Sequence, residues 1–157
     1  MDEITRGIWL GNSHDAIHSR KELKENGITA ILNCAWDLKN TQLSHKDGFE
    51  IAQCGLRDSK DNNVFAIYSA VLQLANLVKN NHFVLVHCHE GRSRSAWVVA
   101  YYLYAIENFD TIEEAFDYIV SCRPEVYNPP REIKESFDKC NVDLLKKMFF
   151  NRKEKGE

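Results

Sequence analysis

The chain has 157 residues, 44% of them hydrophobic and 27% charged, with a formal net charge of −3. That is enough chain for one domain with a real core, in proportions ordinary for a soluble globule. So small a negative charge argues against a protein that binds nucleic acid or membrane through bulk positive charge.

Five cysteines are an odd number, scattered without paired metal spacing. They read as free thiols in a reducing compartment. Met1-Asp2-Glu3 is acidic and no apolar h-region follows, so no signal peptide is read. The apolar run over 96–104 is too short to span a bilayer. The expectation is a cytoplasmic or nuclear protein with no membrane insertion and no nucleic-acid partner. Oligomeric state is not legible.

In chain order, Ile4 to Leu10 reads as an edge strand ending at Gly11. Ser13-His14-Asp15 suits a helix start, and a short helix runs to Asn26-Gly27, a stop signal. Ile28 to Asn33 is apolar and β-branched, hence a buried strand parallel to its neighbours. Trp36 to Gly48 is polar and loop-like, with Trp36 read as a packing residue ahead of a substrate contact. Phe49 to Leu56 is a third strand. Arg57 to Asn63 is a polar loop in which no packing purpose is visible.

Val64, Ile67, Tyr68, Val71, Leu72, Ala75 and Val78 then repeat at helical spacing, and Asn80-Asn81 ends that helix. Phe83-Val84-Leu85-Val86 is the central strand. The apolar run from Ala96 to Tyr104 is a buried helix. Thr111 with Glu114 forms a capping box, and Ile112, Ala115, Phe116 and Ile119 supply an apolar face. Pro130 fits a first helical turn. Ile133, Phe137, Cys140, Leu144 and Met148 make a last stripe. Asn151 to Glu157 is a charged tail expected to be disordered, which leaves 1–150 as the domain. Alternating strands and helices predict a single-domain α/β layer sandwich. Its twisted, mostly parallel central sheet has about 4–5 strands, flanked by helices.

Between the central strand and the buried helix stands His87-Cys88-His89-Glu90-Gly91-Arg92-Ser93-Arg94-Ser95. A loop entering a helix N-terminus aims backbone N–H groups at one spot, and the helix dipole adds positive potential. An anion belongs there. Arg94 offers a planar two-pronged donor suited to phosphate. Cys88, in the same field, should ionise readily and act as a nucleophile. Gly91 supplies the unusual dihedrals of a loop wrapped around an oxyanion. Ser95 can cap the helix. His87-Cys88-His89 does not read as a zinc site, because adjacent residues at a strand end point to opposite faces and no fourth ligand stands at a standard spacing.

The Cys-x5-Arg-Ser spacing after a Val-His strand end resembles the signature of the protein tyrosine phosphatase superfamily. Ile8-Trp9-Leu10-Gly11, Leu23, Gly27 to Asn33 and Arg123-Pro124-Glu125-Val126 narrow the resemblance to the dual-specificity phosphatases. It runs from about Ile4 to about Leu145. It implies a phosphatase acting on phosphotyrosine and phosphoserine or phosphothreonine in proteins through a phosphocysteine intermediate. No metal or organic cofactor is implied.

By that resemblance Cys88 is the nucleophile and Arg94 holds the phosphate in the transition state. His89, Glu90, Gly91, Arg92 and Ser93 complete the phosphate-binding loop. Ser95 stabilises the departing thiolate, and His87 orients the loop. Asp58, in the polar loop after the third strand, is the general acid, with Asp61 its rival. Asn128 has a supporting role. Arg92 reads equally as a contact to an acidic neighbour of the phosphate and as a solvated side chain, and Glu90 as a brace for an arginine or a lone carboxylate. Cys34 and Cys88 follow two strands that the family fold makes neighbours, so Cys34 is a possible redox partner. Two other readings stand beside the first. One is the same chemistry on a phosphoinositide or an RNA 5′-phosphate end. The other is a non-catalytic phosphate-binding pseudophosphatase, against which intact Cys88, Arg94 and Asp58 argue.

Overall fold

The computed structural model describes residues 1–38 and 47–154. The middle of the polar stretch from Trp36 to Gly48 therefore lies outside the described residues. A five-stranded sheet runs in the order β1-β2-β5-β3-β4. Its strands are β1 (Asp2–Thr5), β2 (Ile8–Gly11), β3 (Ala30–Ala35), β4 (Glu50–Leu56) and β5 (Val84–His87). Only β1 is antiparallel to its neighbour; the other pairings are parallel. This is the predicted α/β sandwich, with the predicted central strand, β5, in the middle.

Side chains alternate across the sheet. Leu10, Leu32 and Val86 face α3 (Val64–Lys79), α4 (Arg94–Ala105), α5 (Ile112–Cys122), α6 (Ile133–Asp138) and α7 (Val142–Glu154). Trp9, Ile31 and Leu85 face α1 (Ser13–His18) and α2 (Arg20–Glu25) on the other side. A period of two on strands covered on both faces explains their nearly continuous apolar sequence. Helix α4 is buried almost all round, and its Trp97 stacks on Phe116 at 4.6 Å between ring centroids. No described helix is long and apolar enough to cross a membrane.

The first predicted strand is a hairpin instead. Gly7, at φ +88°, turns the chain between β1 and β2, so β1 is the edge and β2 is interior. The first predicted helix is two, parted at Ser19. Its cap is Asn12, whose side chain accepts from Asp15 N–H at 2.8 Å while the Asp15 carboxylate accepts from Asn12 N–H at 3.0 Å. Thr111 caps α5 as expected, but Glu114 reaches back to the N–H of Asp110, one residue too far for a reciprocal box.

Pro130 lies ahead of α6, outside its first turn. The last stripe breaks at Cys140-Asn141, which resets the helical phase between α6 and α7. Ile133, Phe137 and Leu145 are therefore buried, while Leu144 is exposed. Helix α7 runs on to Glu154, and residues 155–157 of the charged tail lie outside the described residues.

Candidate active site

Strand β5 ends at His87, residues 88–93 turn, and α4 starts at Arg94. The turn is gripped from outside by its carbonyl oxygens. Ser13 N–H donates to His89 O at 2.9 Å, and Tyr127 N–H to Arg92 O at 3.0 Å. Between them Arg123, 2% exposed, donates from Nη2 to Glu90 O at 3.2 Å and from Nε to Gly91 O at 2.8 Å. In a trans peptide the C=O and N–H point opposite ways. The N–H groups of Glu90, Gly91, Arg92 and Ser93 are thereby turned toward the pocket, above the positive end of α4. Gly91 sits at φ +67°, and a Cβ there would collide with the Gly11 carbonyl oxygen.

Cys88 is buried at the floor, its Sγ 3.2 Å from Ser95 Oγ. Arg94, 6% exposed, donates from Nη1 to Leu56 O at 3.1 Å and to Asp37 Oδ1 at 2.8 Å. The guanidinium holds the Asp37 carboxyl below the usual carboxylate range. The second Asp37 oxygen lies 3.2 Å from His89 Nε2. With Nη1 engaged by Asp37 and Leu56, no described residue takes a hydrogen bond from the Nε–Nη2 edge of Arg94, which suits a ligand.

Asp58 stands in the pocket wall. Its Oδ1 accepts from Ser93 Oγ at 2.7 Å, and Arg131 lies 3.8 Å from its Oδ2. Asp61, from the same loop, is exposed and outside the wall. Tyr127 completes the rim. Its hydroxyl donates to Glu90 Oε2 at 2.6 Å, and its ring lies between the guanidiniums of Arg92 and Arg131, at 4.7 and 4.5 Å. Arg92 is tied down further by Nε donating to Glu125 O at 2.7 Å. Glu90 thus meets a tyrosine hydroxyl, and Arg92 Nη1 more distantly at 3.9 Å.

His87 is fully buried, with Nδ1 3.1 Å from the Cys88 carbonyl and no described hydrogen-bond partner for Nε2. Burial pulls its pKa down to about 4, so the imidazole is neutral. Its ring lies against the Cys88 carbonyl and that of His89 against Asp37, so the two do not converge on Cys88. Among the described residues no cluster of three His, Cys, Asp or Glu is arranged to hold a metal ion. Asn128 is exposed and stands outside the pocket wall.

Asn33 pairs with His87 across β3 and β5, so Cys34 and Cys88 each stand one residue beyond a paired position. Cys34 is fully buried, and burial pushes its pKa well up; Cys54 Sγ lies 3.6 Å from the carbonyl oxygen of the preceding Asn33. All five cysteines are free.

Asp37, Arg123, Tyr127 and Arg131 are site residues that sequence reasoning missed. Arg123 was visible only as part of a family pattern. Asp37 and Arg131 sit in polar stretches without periodicity, and nothing in their spacing points at the loop they touch.

The family model described as "Dual specificity phosphatase, catalytic domain" matches residues 8–136. Dual specificity protein phosphatase PHS1 of Arabidopsis thaliana is 33% identical over 102 residues, which cover 64% of this chain and 11% of that protein. Dual specificity protein phosphatase 19 of Mus musculus is 29% identical over 124 residues, covering 78% and 54%. The crystal structure of human DUSP28 superposes with a TM-score of 0.74 at 19% identity, covering 97% of this chain and 99% of that one, a likeness of fold. The chain thus spans between about a tenth and about half the length of these curated relatives. With that match over most of its length, the chain belongs to the dual-specificity phosphatase catalytic-domain family.

Proposed function

We propose that the protein is a phosphatase that hydrolyses phosphotyrosine and phosphoserine or phosphothreonine in proteins through a phosphocysteine intermediate. The observation that carries this reading is the Cys88 sulfur, 3.2 Å from Ser95 Oγ at the floor of a pocket walled by Arg94 and Asp58. A module that only binds phosphate has no use for a thiol and an acid so placed.

In the first step the Cys88 thiolate attacks phosphorus and the bond to the leaving oxygen breaks. Asp58 gives that oxygen its proton, and an alcohol or phenol departs. The Nε–Nη2 edge of Arg94 and the inward N–H groups hold the non-bridging oxygens as charge moves onto them. In the second step Asp58, now a carboxylate, takes a proton from water as water attacks phosphorus. The S–P bond breaks, inorganic phosphate leaves, and the Ser95 hydroxyl donates to the returning thiolate.

Two features support a protein substrate. The curated relatives carry the name of protein phosphatases. Glu90, fixed by Tyr127 at the rim, repels a polyanionic headgroup or a triphosphate end. The five free thiols support a reducing compartment, cytoplasm or nucleus.

The test is phosphate release from phosphopeptides, inositol lipids and triphosphorylated RNA, for the wild type, Cys88→Ser and Asp58→Ala. Cys88→Ser should abolish turnover on every substrate. Asp58→Ala should slow the chemical step roughly a hundred- to ten-thousandfold, less so for esters with acidic leaving groups. Retained turnover in Cys88→Ser would overturn the mechanism. A preference for the lipid or the RNA would overturn the substrate class.

A further inference from the structure

The stretch from Arg57 to Asn63 joins β4 to α3, and within it only Asn62 is buried. Its side-chain amide bridges the backbone on both sides of Asp58. Oδ1 accepts from Arg57 N–H at 2.8 Å, and Nδ2 donates to Arg57 O at 2.7 Å and to Ser59 O at 3.1 Å. A second side chain arrives from α6. The fully buried Ser136 hydroxyl donates to Ser59 O at 2.8 Å and accepts from Asn62 N–H at 3.2 Å.

Buried polar side chains are kept where each of their groups finds a partner, and here the partners are peptide groups of one loop. The backbone of Arg57 and of Ser59, the residues on either side of Asp58, is therefore held, while the Asp58 carboxylate is left to reach Ser93. Helix α6 is in turn keyed to α4, because Phe137 packs on Trp97 at 5.8 Å between ring centroids. Helix α4 begins at Arg94. The loop carrying the acid and the loop cradling the anion thus share one packed frame.

We propose that Asn62 and Ser136 are positioning residues that hold Asp58 at the leaving-group side of the pocket before substrate arrives. Proton transfer then needs no closing of the loop. The inference rests on the reading of Asp58 as general acid. Such an acid works only within hydrogen-bond reach, and a misplacement of about 1 Å costs on the order of a hundredfold in rate.

The experiment measures kcat and KM on aryl phosphates whose leaving groups span a wide range of acidity. The variants are Asn62→Ala, Ser136→Ala, Ser136→Thr, Asp58→Asn and the double variant Asn62→Ala with Asp58→Asn. Both alanine variants should lose roughly ten- to a hundredfold in kcat on phenyl phosphate, with KM nearly unchanged. They should lose little on esters with strongly acidic leaving groups. Ser136→Thr, which keeps the hydroxyl, should restore the rate. Adding Asn62→Ala to Asp58→Asn should cost nothing further, because two residues acting through one proton transfer are not additive.

A loss equal across all esters, or one that adds fully in the Asp58→Asn background, would overturn the proposal in favour of general destabilisation. A leaving-group-dependent Asp58→Asn beside wild-type-like alanine variants would remove the clamp alone. An Asp58→Asn without leaving-group dependence would remove the acid assignment and the clamp with it. If Asn62→Ala does not fold, Asn62→Asp keeps the acceptor for Arg57 N–H and loses both donors, and is read against the same outcomes.

Discussion

Asp37 holds Arg94 from behind, Oδ1 to Nη1 at 2.8 Å, and so fixes the plane of the guanidinium before any anion arrives. The same carboxylate meets His89 through its other oxygen. The pair is built at one edge of the parallel sheet, one member just after β3 and the other at the start of α4, which follows the neighbouring strand β5.

Removing that anchor should weaken catalysis even though it removes a competing anion. Asp37→Ala leaves Nη1 held by the Leu56 carbonyl alone and lets the guanidinium rotate about that single contact, and the two-pronged contact to phosphate depends on its plane. We expect kcat/KM to fall roughly ten- to a hundredfold, with inorganic phosphate a weaker competitive inhibitor. Asp37→Asn keeps one acceptor oxygen and should fall between. Steady-state kinetics with phosphate inhibition decides it: a rate at or above wild type in Asp37→Ala would mean that the carboxylate merely blocks the site.

Gly91→Ala should be both unstable and inactive. The backbone there is left-handed, and the added Cβ meets main-chain oxygen, which cannot swing away as a flexible side chain would. A destabilisation of at least about 2 kcal/mol is expected. Urea unfolding measures it, and a wild-type midpoint would show that the loop can shift away from Gly11.

Acid should destabilise the fold through His87. Its folded pKa of about 4 lies below the 6.5 of an ordinary histidine. The unfolded chain therefore takes up the proton first. Stability is full above about pH 7 and declines as pH falls from about 6.5 to about 4, by about 2 kcal/mol at pH 5. Asp37, held low by Arg94, loses its contribution in the same direction at lower pH. His87→Asn keeps a donor for the Cys88 carbonyl but does not titrate. Urea unfolding at pH 7.5 and pH 5 should give a smaller decline for it than for the wild type, and equal declines would clear His87 of the effect.

Mild peroxide should convert Cys88 to a sulfenic acid, which Cys34 then captures with loss of water to form a disulfide. Adjacent parallel strands carry the two residues one step beyond a paired position, and the usual strand spacing of about 4.8 Å compares with the roughly 4.4–6.8 Å between Cα atoms that a disulfide needs. Peptide mapping should find Cys34 joined to Cys88, with activity returned by a thiol reductant. Burial holds the Cys34 thiol protonated, so capture should be slow at neutral pH and quicken with alkali. A Cys34–Cys54 bridge, or Cys88 driven to sulfinic acid, would remove Cys34 from this role.

The sheet, the long helices and the anion loop were legible because each has a local signature. Val84 to Val86 is a continuous apolar run, α3 keeps its period for sixteen residues, and the loop's chemistry is written in nine consecutive positions. The hairpin at Gly7 escaped notice because β1, Asp2–Thr5, has a single buried apolar residue, Ile4, and so no strand pattern of its own. The split at Ser19 and the reset at Cys140-Asn141 each border a helix of only six residues, too short for a change of phase to register. Asp37 and Arg123 act through partners far along the chain, Asn62 through the backbone of its own loop, and no local pattern registers a buried arginine bonded to carbonyls or an amide folded back on a loop.

The cradle is gripped through four consecutive main-chain oxygens, from His89 to Arg92. Such oxygens are common to every residue type. The side chains at 89, 90 and 92 are consequently interchangeable as far as the anion hole is concerned, with Gly91 the one position that is not. Substrate preference can be retuned at those three sites, in a laboratory or by descent, while the machinery that grips phosphate stays as it is.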